Sequence, residues 1–238
     1  MNNMKKKSLD KSPLLFTKIE RKDPLAEEIY NQISNAILNG DLQPGDKLVE
    51  ERVGEQFGVS RVPVRDAIQL LEKDGLVEKI PYHGTFVAKL SERTFIELHS
   101  VRVALEKMAV EILANRNSPK DIGFLNGIIA RMKEVAANDN RKEILIIDAN
   151  FHDALINLTN HSVLKETWQP IGVRLRCFLY LKRHHTHKRI EDVVESHLKI
   201  VKGIASGNTE TAVAALDDHL QQVEDKFTEA ISQGKSIF

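Results

Sequence analysis

Four residues in the C-terminal half combine metal-ligand chemistry with helical spacing: Asp148, His152, His197 and His219. Asp148 and His152 stand at i and i+4, about 40° apart on a helix. Both fall on the apolar arc made by Ile144, Leu145, Ile147, Phe151, Leu155 and Leu158. His197 falls near the centre of the arc Val193, Val194, Ile200, Val201 and Ile204. His219 falls at the edge of the arc Ala212, Ala215, Leu216, Val223, Phe227 and Ala230. Three helices therefore each aim a ligand-type group inward. A buried carboxylate is costly unless it is paired or bound to a metal. Any one of these histidines could make a private hydrogen bond in the core. The four together favour a divalent metal ion, and imidazole with carboxylate suits Zn, Mn, Fe, Co or Ni.

Two arginines share this inward orientation. Arg102 lies amid Phe95, Leu98, Leu105, Ala109, Ile112 and Leu113, with Glu106 one turn on and also inward. Arg174 lies among Ile171, Cys177, Phe178 and Leu181, whereas Arg176 points the opposite way. A buried arginine wants a carboxylate. Glu106 can supply it to Arg102. Alternatively, Arg102 and Arg174 hold the carboxylate of a small acid whose other oxygens reach the metal, or Arg174 lies at a dimer interface. A further run, His184-His185-Thr186-His187, is surrounded by Lys182, Arg183, Lys188 and Arg189 and reads as a solvated basic loop.

A different chemistry is written near the N-terminus. Arg61, Arg65 and Gln69 recur every four residues beside the apolar stripe Val64, Ala67, Ile68 and Leu71. Arginine can donate two parallel hydrogen bonds to guanine O6 and N7, and a helix N-terminus offers backbone N–H groups to phosphate.

The elements that must carry these groups follow from periodicity and breakers. Leu25, Ile29, Ile33 and Ile37 predict a first helix, stopped at Asn39-Gly40. Pro44-Gly45 is a turn. A second helix runs from about Val49 to Phe57, ended by Gly58, and Ser60 can cap a third, with Pro63 in its first turn and Gly75 closing it. Extended runs Val77–Ile80 and Thr85–Ala88 flank the hairpin turn Pro81-Tyr82-His83-Gly84. Three helices and a hairpin make a winged helix-turn-helix over residues 23–90, with His83 and Gly84 at the wing tip. Beyond Leu90 no strand pattern recurs, and six helices are expected over 93–115, 119–138, 141–159, 162–183, 190–206 and 208–233. The fold class is mostly α: a winged helix-turn-helix followed by an all-helical bundle over 91–238. Residues 1–22 have no periodicity and read as a basic flexible arm.

Bulk properties narrow the class. The 238 residues carry 34 Lys+Arg against 34 Asp+Glu, with 42% hydrophobic and 5% aromatic residues, so net charge gives no support to nucleic-acid binding. Its distribution is more telling. Residues 1–22 hold seven basic against two acidic groups, and residues 23–90 hold seven against twelve. DNA affinity must then rest on a few placed arginines and the arm. The single cysteine, Cys177, excludes an internal disulfide framework and fits a reducing compartment. Lys5-Lys6-Lys7 is followed by no apolar stretch, so a signal peptide is not expected, and no run is long enough to span a membrane. The expected location is the cytoplasm.

The stretch Pro44-Gly45-Asp46-Lys47-Leu48, then Gly58-Val59-Ser60-Arg61-Val62-Pro63-Val64-Arg65-Asp66-Ala67-Ile68, Leu71, Gly75-Leu76-Val77 and Gly84-Thr85-Phe86-Val87 resembles the GntR family of transcriptional regulators. The resemblance implies a homodimer on double-stranded DNA with a pseudo-palindromic operator, and it places Ser60, Arg61, Val62, Arg65, His83 and Gly84 at DNA-contact positions. Glu51 departs from it, standing where some members place a contacting arginine, with Arg52 next to it. Gly54 departs too, in place of the usual alanine. Downstream, Asp148-Ala149-Asn150-Phe151-His152, Asn160, Glu195-Ser196-His197, Ile200, Ile204, Gly207-Asn208, Ala212 and His219-Leu220 resemble the ligand-sensing FCD domain of the FadR subgroup. That implies metal ligation by Asp148, His152, His197 and His219, and a small carboxylate effector held by Arg102 and Arg174. Asn208, where Asp is frequent, reads as a helix cap.

The leading expectation is a DNA-binding transcriptional regulator, a repressor, whose operator binding responds to an organic acid held near the metal. A metal-dependent hydrolytic enzyme is the alternative, since such a site can activate water. Four protein ligands and no free inward carboxylate base argue against it. A protein that merely coats DNA needs no inward polar cluster.

Overall fold

The computed structural model describes residues 24–89, 91–181 and 189–232. The basic arm and the run His184-His185-Thr186-His187 lie outside the described residues. Helix α1 (Pro24–Asn39) buries Ile29, Ile33 and Ile37. Helix α2 (Glu50–Phe57) ends at Gly58, whose φ of +66° is the left-handed cap that its residue type permits. Helix α3 (Arg61–Lys73) buries Val64, Ala67, Ile68 and Leu71 on the expected stripe. Ser60 holds the extended N-cap position of α3 but makes no side-chain cap hydrogen bond, so the expected cap is formed by the backbone position alone.

Strands β2 (Val77–Ile80) and β3 (Gly84–Val87) form the hairpin wing, paired antiparallel with Val77 opposite Val87. A strand that the sequence did not announce completes the sheet. Strand β1 (Lys47–Leu48) pairs with Phe86 and Thr85, giving the order β1-β3-β2. Two residues are too few to display an alternating pattern.

The helical bundle comprises α4 (Glu92–Arg116), α5 (Pro119–Ala137), α6 (Arg141–Leu158), α7 (Ser162–Leu181), α8 (Ile190–Ala205) and α9 (Thr209–Ser232). The breakers act as caps. Ser91 Oγ accepts from Thr94 N, Ser118 Oγ from Asp121 N, Asn140 Oδ1 from Glu143 N and Asn208 Oδ1 from Thr211 N. Helix α4 packs against α6, α7, α8 and α9, and so stands at the centre. Helices α8 and α9 approach closely at Gly203, where a Cβ would lie 2.7 Å from Ala212 Cα. No described helix is long and apolar enough to cross a membrane.

The two parts meet along a packed seam. Helix α1 lies against α7. Tyr30 Oη donates to Asp74 Oδ2 at 2.6 Å, at the C-cap of α3. Gly75 has φ +69°, and a Cβ there would sit 2.9 Å from Arg174 Cδ and Nε. Within α7, Pro170 removes the amide that would donate to the Glu166 carbonyl.

Candidate metal centre and DNA-reading face

Helix α6 supplies Asp148 and His152, α8 supplies His197 and α9 supplies His219. One ligand atom from each lies within 4.8 Å of all the others. The three histidines are buried and Asp148 is nearly so. His197 Nε2 is 3.1 Å from Asp148 Oδ1, yet off the line that a hydrogen bond needs, and it has no hydrogen-bond partner. His152 Nε2 and His219 Nε2 are 3.3 Å apart.

The outward hydrogen bonds of the rings decide what points inward. His197 Nδ1 lies 2.7 Å from the Val193 carbonyl oxygen, which can only accept, so Nδ1 carries the proton. Ser196 Oγ donates to that same carbonyl, so it accepts from His219 Nδ1 at 3.1 Å. His152 Nδ1 donates to Glu106 Oε2 at 2.6 Å. In a neutral imidazole with Nδ1 protonated, Nε2 carries a lone pair. Three lone pairs and a carboxylate oxygen therefore converge. The close approach of His152 Nε2 to His219 Nε2 opposes two lone pairs, an arrangement that a cation between them relieves. The donor set fits a divalent metal, and its own outer hydrogen bonds fix ring orientation.

The electrostatics agree. Burial, reinforced by Arg102, lowers the pKa of His152, and burial with the neighbouring histidines lowers that of His219 well below 6.5. Burial alone raises a carboxylic acid. At Asp148 it is outweighed by the adjacent His197 and by the other two histidines, and the pKa is lowered. At Glu106 it is outweighed by Arg102 and His152.

Arg102 Nε donates to Glu106 Oε1 at 2.7 Å, so the pairing expected between them is present. The same glutamate reaches on to His152, a contact that projection along one helix cannot reveal. Arg174 is not among the groups around the four ligands. Its guanidinium packs against Gly75 at the seam, with Nε buried and without a hydrogen-bond partner. Arg102 is thus paired with Glu106 within α4, whereas Arg174 on α7 lies beside the end of α3. Two further polar groups escaped the sequence reading. His99 is buried on α4 and stacks on Phe95. Asp153, next to His152, accepts from Trp168 Nε1 and Arg176 Nη1 at 2.7 and 2.6 Å.

On the other part, Ser60, Arg61, Val62, Arg65 and Gln69 are exposed along one side of α3, and His83 is exposed at the wing tip. Gly84 has φ +113°, which a side chain rarely adopts. Tyr82, beside His83, is fully exposed with φ +65°. Arg61 Nη2 pairs with Glu51 Oε1 across the starts of α3 and α2. Gly54 is explained by crowding, since a Cβ there would meet the Val59 carbonyl oxygen at 3.0 Å.

Comparison with known proteins places both parts. Residues 97–222 match the FCD domain, and residues 25–87 match bacterial regulatory proteins of the gntR family. A probable D-xylose utilization operon transcriptional repressor from Paenarthrobacter nicotinovorans is 30% identical over 82% of this chain and 85% of its own. The gluconate operon transcriptional repressor of Bacillus subtilis is 24% identical over 92% of this chain and 91% of its own. Among solved structures, E. coli McbR/YncC superposes with a TM-score of 0.76 at 20% identity, covering 88% of this chain and 99% of that one, which speaks to the fold alone.

Proposed function

The chain belongs to the GntR family of bacterial DNA-binding transcriptional regulators and carries an FCD domain, and we propose that it is a repressor governed by a small organic acid bound at a divalent metal. The reading assigns residues 23–90 to DNA recognition and residues 91–238 to sensing and dimerisation. Asp148, His152, His197 and His219 hold the ion, and the Arg102 guanidinium supplies positive charge for the effector's carboxylate. Ser60, Arg61, Val62, Arg65, His83 and Gly84 face a pseudo-palindromic operator as a homodimer presents them. The observation that carries the sensing half is the convergence of three imidazole Nε2 atoms on the Asp148 carboxylate. The bound ion supplies a Lewis-acidic site for a carboxylate oxygen. The chain's own residues bury that site and fix the orientation of its rings through Val193, Ser196 and Glu106. Against the hydrolytic alternative, Glu106, an inward carboxylate beside the ligands, is already bonded to Arg102 and His152.

An effector shifts DNA affinity only by as much as it prefers one arrangement over the other. The test is DNA binding by full-length protein, zinc-loaded or chelator-treated, across a panel of small carboxylic acids. His152→Ala and Arg65→Ala serve as controls. The expected result is that at least one acid changes the affinity of zinc-loaded protein and has no effect on His152→Ala. Arg65→Ala loses about 1–3 kcal/mol of DNA binding. Affinity indifferent to both zinc and every acid would overturn the sensing role, and unchanged binding by Arg65→Ala the groove assignment.

A further inference from the structure

The DNA-reading face carries an acidic group among its basic ones. Glu51, in the first turn of α2, and Arg61, the first residue of α3, are joined through Oε1 and Nη2, with side chains 62% and 65% exposed. An ion pair so exposed adds little to stability, so the fold does not require it. The start of α2 does not require it either, because Glu50 already places a negative charge in the same turn. The pair sits where residues at the N-terminus of a recognition helix meet base edges.

We propose that Glu51 is a specificity-determining residue for DNA. Its carboxylate holds one edge of the Arg61 guanidinium, leaving the other edge for guanine O6 and N7, and it accepts the N4 amino hydrogen of a cytosine in the same site. This inference rests on the base-reading role proposed for Arg61. The chemistry of both groups is specific: guanine presents two acceptors in the major groove and cytosine one donor. An unpaired arginine adapts readily to phosphate, which carries no sequence information. A carboxylate at the same point is repelled by phosphate, so on arbitrary DNA Glu51 weakens binding. That cost is offset only where the arginine finds guanine and the carboxylate finds a cytosine amino group. Discrimination therefore comes from penalising wrong sequences as well as from rewarding the right one. The segment around the pair is itself acidic, twelve acidic against seven basic residues over 23–90, so little unspecific attraction masks the penalty.

The experiment is selection from a random double-stranded oligonucleotide library by full-length wild type, Glu51→Gln, Arg61→Gln and the double variant. Wild type is expected to enrich a motif containing a G·C pair that Arg61→Gln no longer prefers. Glu51→Gln is expected to lower the preference at that pair or its neighbour about tenfold, the scale of one base contact, while binding unselected DNA more tightly. In the double variant the two losses are expected not to add. Glu51→Gln selecting the wild-type motif with unchanged base ratios overturns the proposal, as do strictly additive losses. Arg61→Gln selecting the wild-type motif sinks instead the reading on which it rests.

Discussion

Glu106 is a residue through which the candidate metal centre can be tested without touching a proposed ligand. It is fully buried, with Arg102 Nε at 2.7 Å on one oxygen and His152 Nδ1 at 2.6 Å on the other. Glu106→Gln keeps the shape and removes the charge, with two separable consequences. The Arg102 side chain is only 4% exposed, and leaving such a charge unpaired costs about 3–5 kcal/mol. For a chain of this size that is a fall in Tm on the order of 10 °C. Meanwhile His152 loses the anion that orients its ring and strengthens its Nε2 as a donor. Outer partners of metal-bound histidines contribute about 10–100-fold to affinity. Glutamine still accepts from Nδ1, so a loss of about tenfold is expected. The assay is competition for zinc against a chromophoric chelator, with thermal unfolding of the metal-free protein in parallel. Adding Arg102→Met to Glu106→Gln removes the orphaned charge. The double variant should regain most of the lost stability while its zinc affinity stays low. Zinc affinity equal to wild type in both variants would refute the argument that Glu106 serves His152.

Two further outcomes can be measured on the fold itself. Burial and the nearby Arg102 lower the pKa of His99 to about 4, whereas the unfolded chain titrates near 6.5. Between those values the unfolded state binds more protons, so stability is full above about pH 6.5 and falls by about 3 kcal/mol as pH drops to about 4. His99→Phe, which keeps the stack on Phe95, should flatten that part of the stability–pH curve, and a curve of unchanged slope would show that the loss has another source. Gly203→Ala places a methyl group against the Ala212 backbone, and forcing α8 from α9 should cost about 1–3 kcal/mol. An unaltered Tm would mean that the two helices separate freely.

Much of this was legible because the informative signals are local. The stripe Val64, Ala67, Ile68 and Leu71 defines α3 by itself, and caps such as Asn140 and Asn208 mark helix starts within three residues of their partners. Asp148, His152, His197 and His219 stood out because each is polar on an apolar arc. What the sequence withheld depends on how helices meet. The Glu106–His152 bond joins residues 46 apart on α4 and α6, and no single-helix projection contains it. Arg174 looked like a pocket residue because its neighbours on α7 are apolar, but part of that surface faces the DNA-reading domain instead of the bundle. His99 was hidden by the same face of α4 that displayed Arg102 and Glu106. Strand β1 exists only as a partner for β3.

Pro170 stands between two anchorages of α7. On one side Trp168 is tied to Asp153, the residue after His152; on the other Arg174 is wedged against Gly75, where the recognition helix ends. The connection from β3 to α4 is only four residues long, so the reading head cannot wander on a tether. It is geared to α7 through a close-packed tooth. A twenty-residue helix is about 30 Å long, and a tilt of about 6° carries its far end through about 3 Å, roughly the 3.4 Å that separates successive base pairs. Pro170 leaves α7 one backbone hydrogen bond short near its middle. A single helix thus joins the neighbourhood of the histidine cluster, through Trp168 and Asp153, to the end of α3, through Arg174 and Gly75.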